Sequence, residues 1–255
     1  MATRRIALVI EYDGTNYCGS QLQKGLPTVQ GVIEEAIFKL TGHMTRISMA
    51  GRTDAGVHAT GQVASFRTAA SLPLKAFSGG LNHFLPDDIS VTEAYHAEDS
   101  LDVRRHAASR EYRYSIWNSP APSPVRRFYT CQVAGRLNTA AMNRACRVIS
   151  GKHDFASFVS RTDLKGKSTV REVYSAEVKR KGNLVTLVMK ASSFLPHQVR
   201  NTAGALIRVG LGKMTEGEFA EVFKAAKRGT AGPSAPARGL CLEKVNYPSP
   251  LGSKK

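Results

Sequence analysis

The chain has 255 residues, enough for one large domain or two small ones with real cores, and its 42% hydrophobic and 22% charged residues are ordinary for a soluble globular protein. Its 36 Lys and Arg against 20 Asp and Glu leave a formal net charge of +16, so a polyanion is the expected partner, nucleic acid first, against the alternative of a merely soluble basic protein or a membrane-surface binder. Four scattered cysteines with no Cys-x-x-Cys pair, and no apolar run of membrane-spanning length, argue against a disulfide framework, a zinc site and a transmembrane protein.

Arg4-Arg5 precedes the apolar run Ile6 to Ile10, but Glu11 ends it too early for a secretory leader. Free thiols and no leader make the expected location cytoplasmic. Ile6, Leu8, Ile10 and Tyr12 alternate, which predicts an opening strand, and Asp13-Gly14-Thr15-Asn16 predicts a turn. After the N-cap candidate Thr28, helical spacing of Val29, Val32, Ile33, Ala36, Ile37 and Leu40 predicts a helix. A strand into the loop around Asp54, a strand out of it over Val63 to Phe66, and a short helix over Leu74 to Leu81 follow. Ile89 to His96 and Arg110 to Trp117 read as strands, the latter with Tyr112, Tyr114 and Ile116 on one face.

Ser119-Pro120-Ala121-Pro122-Ser123-Pro124 is an exposed loop and separates two cycles of strands and helices. The second cycle has a helix over Leu137 to Ile149, then strands Val170 to Val178 and Leu184 to Lys190 joined at Lys181-Gly182-Asn183. Next come a helix carrying Val199, Ala203, Leu206 and Ile207, and a capping box of Thr215 with Glu218 before Phe219. A Gly/Pro/Ala-rich loop, Gly229 to Gly239, precedes a closing strand, Leu240 to Tyr247. Mixed elements in both halves predict an α+β or α/β protein of two lobes. Basic groups are spread along it, at Arg104, Arg105, Arg110 and Arg113, Arg126-Arg127, Lys165/Lys167 and Lys179 to Lys181, as on a folded basic surface.

The stretch Ala50-Gly51-Arg52-Thr53-Asp54-Ala55-Gly56-Val57-His58-Ala59-Thr60-Gly61-Gln62-Val63 sets one carboxylate, Asp54, beside an arginine in a glycine-bearing loop. By residue type alone Asp54 is either a loop cap or a presented reagent. The same tripeptide recurs at Arg161-Thr162-Asp163 without flanking glycines. Other distinctive blocks are Glu11 to Thr15, Arg110 to Tyr114, Gly151 to Phe158, Phe194 to Asn201 and Ala231 to Pro236. No Gly-x-x-x-x-Gly-Lys-Ser/Thr or Gly-x-Gly-x-x-Gly loop points to a phosphate-handling enzyme.

In this order the blocks resemble the tRNA pseudouridine synthase A family over roughly residues 5 to 247. The resemblance implies a two-lobed pseudouridine synthase fold, α+β, with a largely antiparallel mixed sheet flanked by helices and a basic cleft between the lobes. The expected division is residues 1–109, carrying the catalytic loop, and 110–255, completing the cleft. It further implies isomerisation of uridine in the tRNA anticodon stem-loop, conventionally positions 38–40, by a homodimer without metal or cofactor. A binding protein on the same fold is the alternative in another class.

The resemblance assigns roles residue by residue. Asp54 matches the catalytic nucleophile, Arg200 the basic residue paired with it, and Tyr112 the tyrosine that stacks on the target uracil. Arg52 matches an arginine that fills the space of the displaced base. From pattern alone Tyr112 is a core aromatic, Arg200 a helix-start surface arginine and Arg52 a phosphate contact. Tyr114 reads as core, and His58 and His197 as loop-shaping or RNA-touching. Where the family usually has Gly-Trp-Gln-Arg-Gln, this chain has Gly19-Ser20-Gln21-Leu22-Gln23, and Asp102 stands where some relatives have histidine.

Overall fold

The computed structural model describes residues 3–159 and 168–254. The second Arg-Thr-Asp tripeptide at 161–163, and Lys165 and Lys167, lie outside the described residues. In chain order the first elements are β1 (Arg4–Tyr12), α1 (Val29–Thr41), β2 (Ser48–Met49), β3 (His58–Thr68), α2 (Gly79–Phe84), β4 (Ile89–Ala97) and β5 (Ser109–Asn118). They are followed by β6 (Cys131–Val133), α3 (Thr139–Val148), β7 (Gly151–Asp154), β8 (Val170–Lys181) and β9 (Leu184–Ala191). Helices α4 (Gln198–Gly210) and α5 (Glu216–Lys224) and the strand β10 (Leu240–Asn246) complete the fold. The chain divides into two units, Met1–Ala108 with Leu242–Lys255, and Ser109–Cys241.

In the first unit β1 is central, antiparallel to β3 on one side and to β4 on the other. Leu8 stands opposite both Ala64 and Ala94. The short β2 adds to β3, and β10 lies on β3's far side. Ile6, Leu8 and Ile10 share one strand face and are fully buried, as are Ile33 and Ile37 of α1. Each such side chain contributes about 1.5–3 kcal/mol relative to exposure. Thr28 starts α1 by accepting the Gly31 N–H (3.3 Å), as its sequence position predicts.

Residues 242–255 accompany this unit. The Ala108 N–H donates to the Asn246 carbonyl (2.8 Å), the Tyr247 hydroxyl to the Val103 carbonyl (2.6 Å), and His96 and Ser253 exchange two backbone hydrogen bonds. Such pairing joins residues far apart in sequence, and local periodicity carries no record of it.

The second unit orders its strands β6-β5-β9-β8-β7; β5 and β6 run parallel and the other pairs antiparallel. A two-residue turn, Gly182-Asn183, closes the β8–β9 hairpin at the Lys181–Leu184 pair. Tyr114 of β5 and Leu187 of β9 face each other in register and are buried, with Val185 and Met189 beside them. Phe155, Phe158, Phe219 and Phe223 form an aromatic cluster, with ring centroids 5.3 Å apart for Phe155–Phe223 and 5.8 Å for Phe158–Phe219. Mostly antiparallel strands flanked by helices make both units α+β, the class the sequence predicts. Strands β6 and β7 escape the sequence reading because three or four residues are too few for an alternation to register. Among the described residues no helix is long and apolar enough to cross a membrane.

Candidate active site

Asp54 lies in the first unit, in the loop between β2 and β3, half-buried, with Arg52 exposed and Thr53 buried beside it. The loop is held from several sides. The Asp54 carbonyl accepts the Val57 N–H (3.1 Å), which closes a tight turn. The Thr53 N–H donates to Ser20 Oγ (2.8 Å), and the Ser20 N–H donates to the Thr53 carbonyl (3.0 Å). The Tyr12 hydroxyl lies 2.8 Å from Thr53 Oγ1. Gln62, fully buried on β3, accepts the Gly51 N–H (3.2 Å) and donates to the Gly51 carbonyl (2.9 Å).

A second loop, residues 13–20, packs against this one. The Gly56 N–H donates to the Tyr17 carbonyl (3.3 Å), and the Gly14 N–H donates to His58 Nδ1 (3.1 Å). A Cβ on Gly14 would stand 2.0 Å from the Val57 carbonyl oxygen, so only glycine permits this approach. Gly19, at φ +99°, puts its missing Cβ 2.9 Å from the Thr53 carbonyl. His58 is buried and ties the two loops together, the loop-shaping role. The backbone on either side of Asp54 is thus held by hydrogen bonds from β1, β3 and the loop of residues 13–20.

Tyr112 and Arg200 belong to the second unit. Tyr112 of β5 is 7% exposed and opposite Met189 in register, with its ring edge-on to Phe194 at 5.1 Å and 87°. Arg200 sits in the first turn of α4, which His197 begins in a left-handed conformation (φ 59°). Arg200 Nε donates to the Ala235 carbonyl (2.9 Å), and the Ala235 N–H donates to the Arg200 carbonyl (3.0 Å). The block 231–236 is thereby strapped to the start of α4. Tyr114 is core: its hydroxyl donates to the Pro236 carbonyl (2.8 Å) and burial pushes its ionisation up, against the pull of Arg200 and Arg238. Asp54 and Arg52 thus share one loop, whereas Tyr112 and Arg200 stand on β5 and α4.

Sequence reasoning missed Ser20, Tyr12 and Gln62 as holders of the Asp54 loop, and Phe194 as the neighbour of Tyr112. The available signal for Ser20 was its place in the departure from the family pattern. Arg110, read as part of a basic surface, is 8% exposed, and its guanidinium is bound to the Ser192 carbonyl (2.9 Å). Asp102 accepts the backbone N–H groups of Arg105 and Arg104, which hold its carboxyl below the usual carboxylate range. Among the described residues no group of three or more His, Cys, Asp or Glu is arranged to hold a metal ion.

The family described as tRNA pseudouridine synthase matches residues 8–104 and 145–248. A "tRNA pseudouridine synthase A" of Pelobacter propionicus is 44% identical over 244 residues, covering 96% of this chain and all of that protein. The proteins of the same name from Myxococcus xanthus and Geobacter sulfurreducens are 41% and 43% identical, over 95% and 96% of this chain and 92% and 100% of theirs. Among solved structures, a Cbf5-Nop10-Gar1 complex aligns with a TM-score of 0.35 and 14% identity, over 80% of this chain and 45% of that one. Matched in both halves by the family model, and aligned nearly end to end with relatives above 40% identity, this chain belongs to the tRNA pseudouridine synthase family.

Proposed function

We propose that this protein converts uridine to pseudouridine in the anticodon stem-loop of tRNA, at the conventional positions 38–40, with Asp54 as nucleophile. Family membership supports the isomerase reaction on tRNA. The observation that supports Asp54 as nucleophile is its loop, where the half-buried Asp54 sits on a backbone held by Ser20, Tyr12 and Gln62; the choice of the anticodon stem-loop rests on the family resemblance. In this reading the Asp54 carboxylate attacks the uridine, the N1–C1′ bond breaks and the uracil turns in place; C5 then bonds to C1′, the bond to Asp54 breaks to regenerate the carboxylate, and C5 loses its proton while N1 gains one.

The other residues have roles that follow from their chemistry. Arg200 is assigned, from the family resemblance, the part of the basic residue that serves the catalytic aspartate. A uridine in a stem must leave its stack before any reaction at it, and the exposed Arg52 fills the vacated space. Tyr112, its ring perpendicular to that of Phe194, supports the extruded uracil by its aromatic face.

The test is pseudouridine formation in an anticodon stem-loop tRNA by wild type and Asp54→Asn. The expected result is conversion by wild type, and a loss of roughly a thousandfold or more in the variant with tRNA binding retained. Wild type that binds tRNA and forms no pseudouridine overturns the reading in favour of an RNA-binding protein on this fold.

A further inference from the structure

We infer that Ser20 is a positioning residue for Asp54, acting through the Thr53 peptide. The inference rests on the reading of Asp54 as nucleophile. Ser20 is 1% exposed and meets Thr53 twice: its N–H donates to the Thr53 carbonyl (3.0 Å), and its Oγ accepts the Thr53 N–H (2.8 Å). These bonds grip the peptide groups on both sides of the Thr53 Cα. The carbonyl so held is part of the bond to Asp54, so any tilt of that peptide swings the Asp54 side chain. From the other side the Tyr12 hydroxyl meets Thr53 Oγ1 (2.8 Å).

Only one of the two Ser20 bonds depends on the side chain. Any residue other than proline at this position supplies the backbone N–H, but the acceptor for the Thr53 N–H needs an oxygen at the γ position. Alanine would leave that buried N–H without an acceptor, and the peptide would turn to find one. The preceding Gly19 makes the close approach feasible, because its φ of +99° brings its backbone against the Thr53 carbonyl.

The experiment compares Ser20→Ala and Ser20→Thr with wild type, measuring kcat and KM for pseudouridine formation and amide hydrogen exchange at Thr53. Ser20→Ala is expected to lose about 10–100-fold in kcat with KM within about twofold, because a small misplacement of a reacting group costs rate more than binding. Its Thr53 amide should exchange faster, and Ser20→Thr should restore both. An alanine variant with wild-type kcat overturns the inference, as does one whose loss lies wholly in KM or is not rescued by threonine. Should Ser20→Ala fail to fold, Tyr12→Phe tests the same clasp from its other side, with the same signature expected and an unchanged kcat overturning it. Wild type that forms no pseudouridine removes the nucleophile reading, and the inference falls with it; an active wild type matched by Ser20→Ala removes the inference alone.

Discussion

Gln62 lies fully buried within β3, yet its side chain serves the loop ahead of that strand. Its Oε1 accepts from Gly51 and Val63, at 3.2 and 3.1 Å, and its Nε2 donates to the Gly51 carbonyl. A buried amide so connected matters less for the energy of its bonds than for what its loss would strand. Gln62→Leu keeps the volume and leaves the Gly51 groups without this partner, so it should destabilise the protein by about 1–3 kcal/mol. Chemical denaturation measures this directly, and an unchanged midpoint would refute it. The cysteines show the opposite case. All four are free, and burial alone pushes the Cys146 thiol up to about 12, so it stays protonated and inert at neutral pH.

At the scale of elements, the start of α5 has a pH-dependent device. Glu218 accepts from the Thr215 N–H (2.7 Å) and from the Thr215 hydroxyl, while Thr215 Oγ1 accepts the Glu218 N–H (3.1 Å). This is the capping box expected from Thr215 and Glu218 in the sequence. The Thr215 N–H, followed by its hydroxyl, holds the Glu218 carboxyl below its ordinary value of 4.5. A folded-state value below the unfolded one means a contribution present above the unfolded value and lost as pH falls through the folded one. Glu218→Gln can still accept in the box but cannot titrate. Between pH 6 and pH 3 the thermal midpoint of wild type should therefore fall further than that of Glu218→Gln; parallel curves would show that this carboxyl does not contribute.

For the whole molecule the governing number is the net charge of +16. A tRNA complex held by this charge releases counterions, so its affinity should drop steeply with salt. Neutralising six to ten phosphates would cost about 10³–10⁵ in affinity between 50 and 200 mM salt. Binding that hardly varies with salt would remove electrostatics as the main attraction. Sedimentation of the same complexes also tests the homodimer proposed from the family resemblance, since two chains per particle are expected and one would contradict it.

Most elements were legible in the sequence because they carry local signals. The alternation of Ile6, Leu8 and Ile10, the cap at Thr28, the turn at Gly182-Asn183 and the box at Thr215 each act within a few residues. The Asp54 block was legible as a motif, and its order among the other blocks pointed to the family. What the tertiary structure alone decided was pairing over distance. It set Ser20 and Tyr12 on Thr53, His58 on Gly14, Ala235 on Arg200 and residues 242–255 alongside the first unit. The physical reason is that a hydrogen bond between residues 33 apart, as for Ser20 and Thr53, leaves no periodicity in the chain. Its partners are chosen by which backbone groups the folded core leaves buried and unsatisfied.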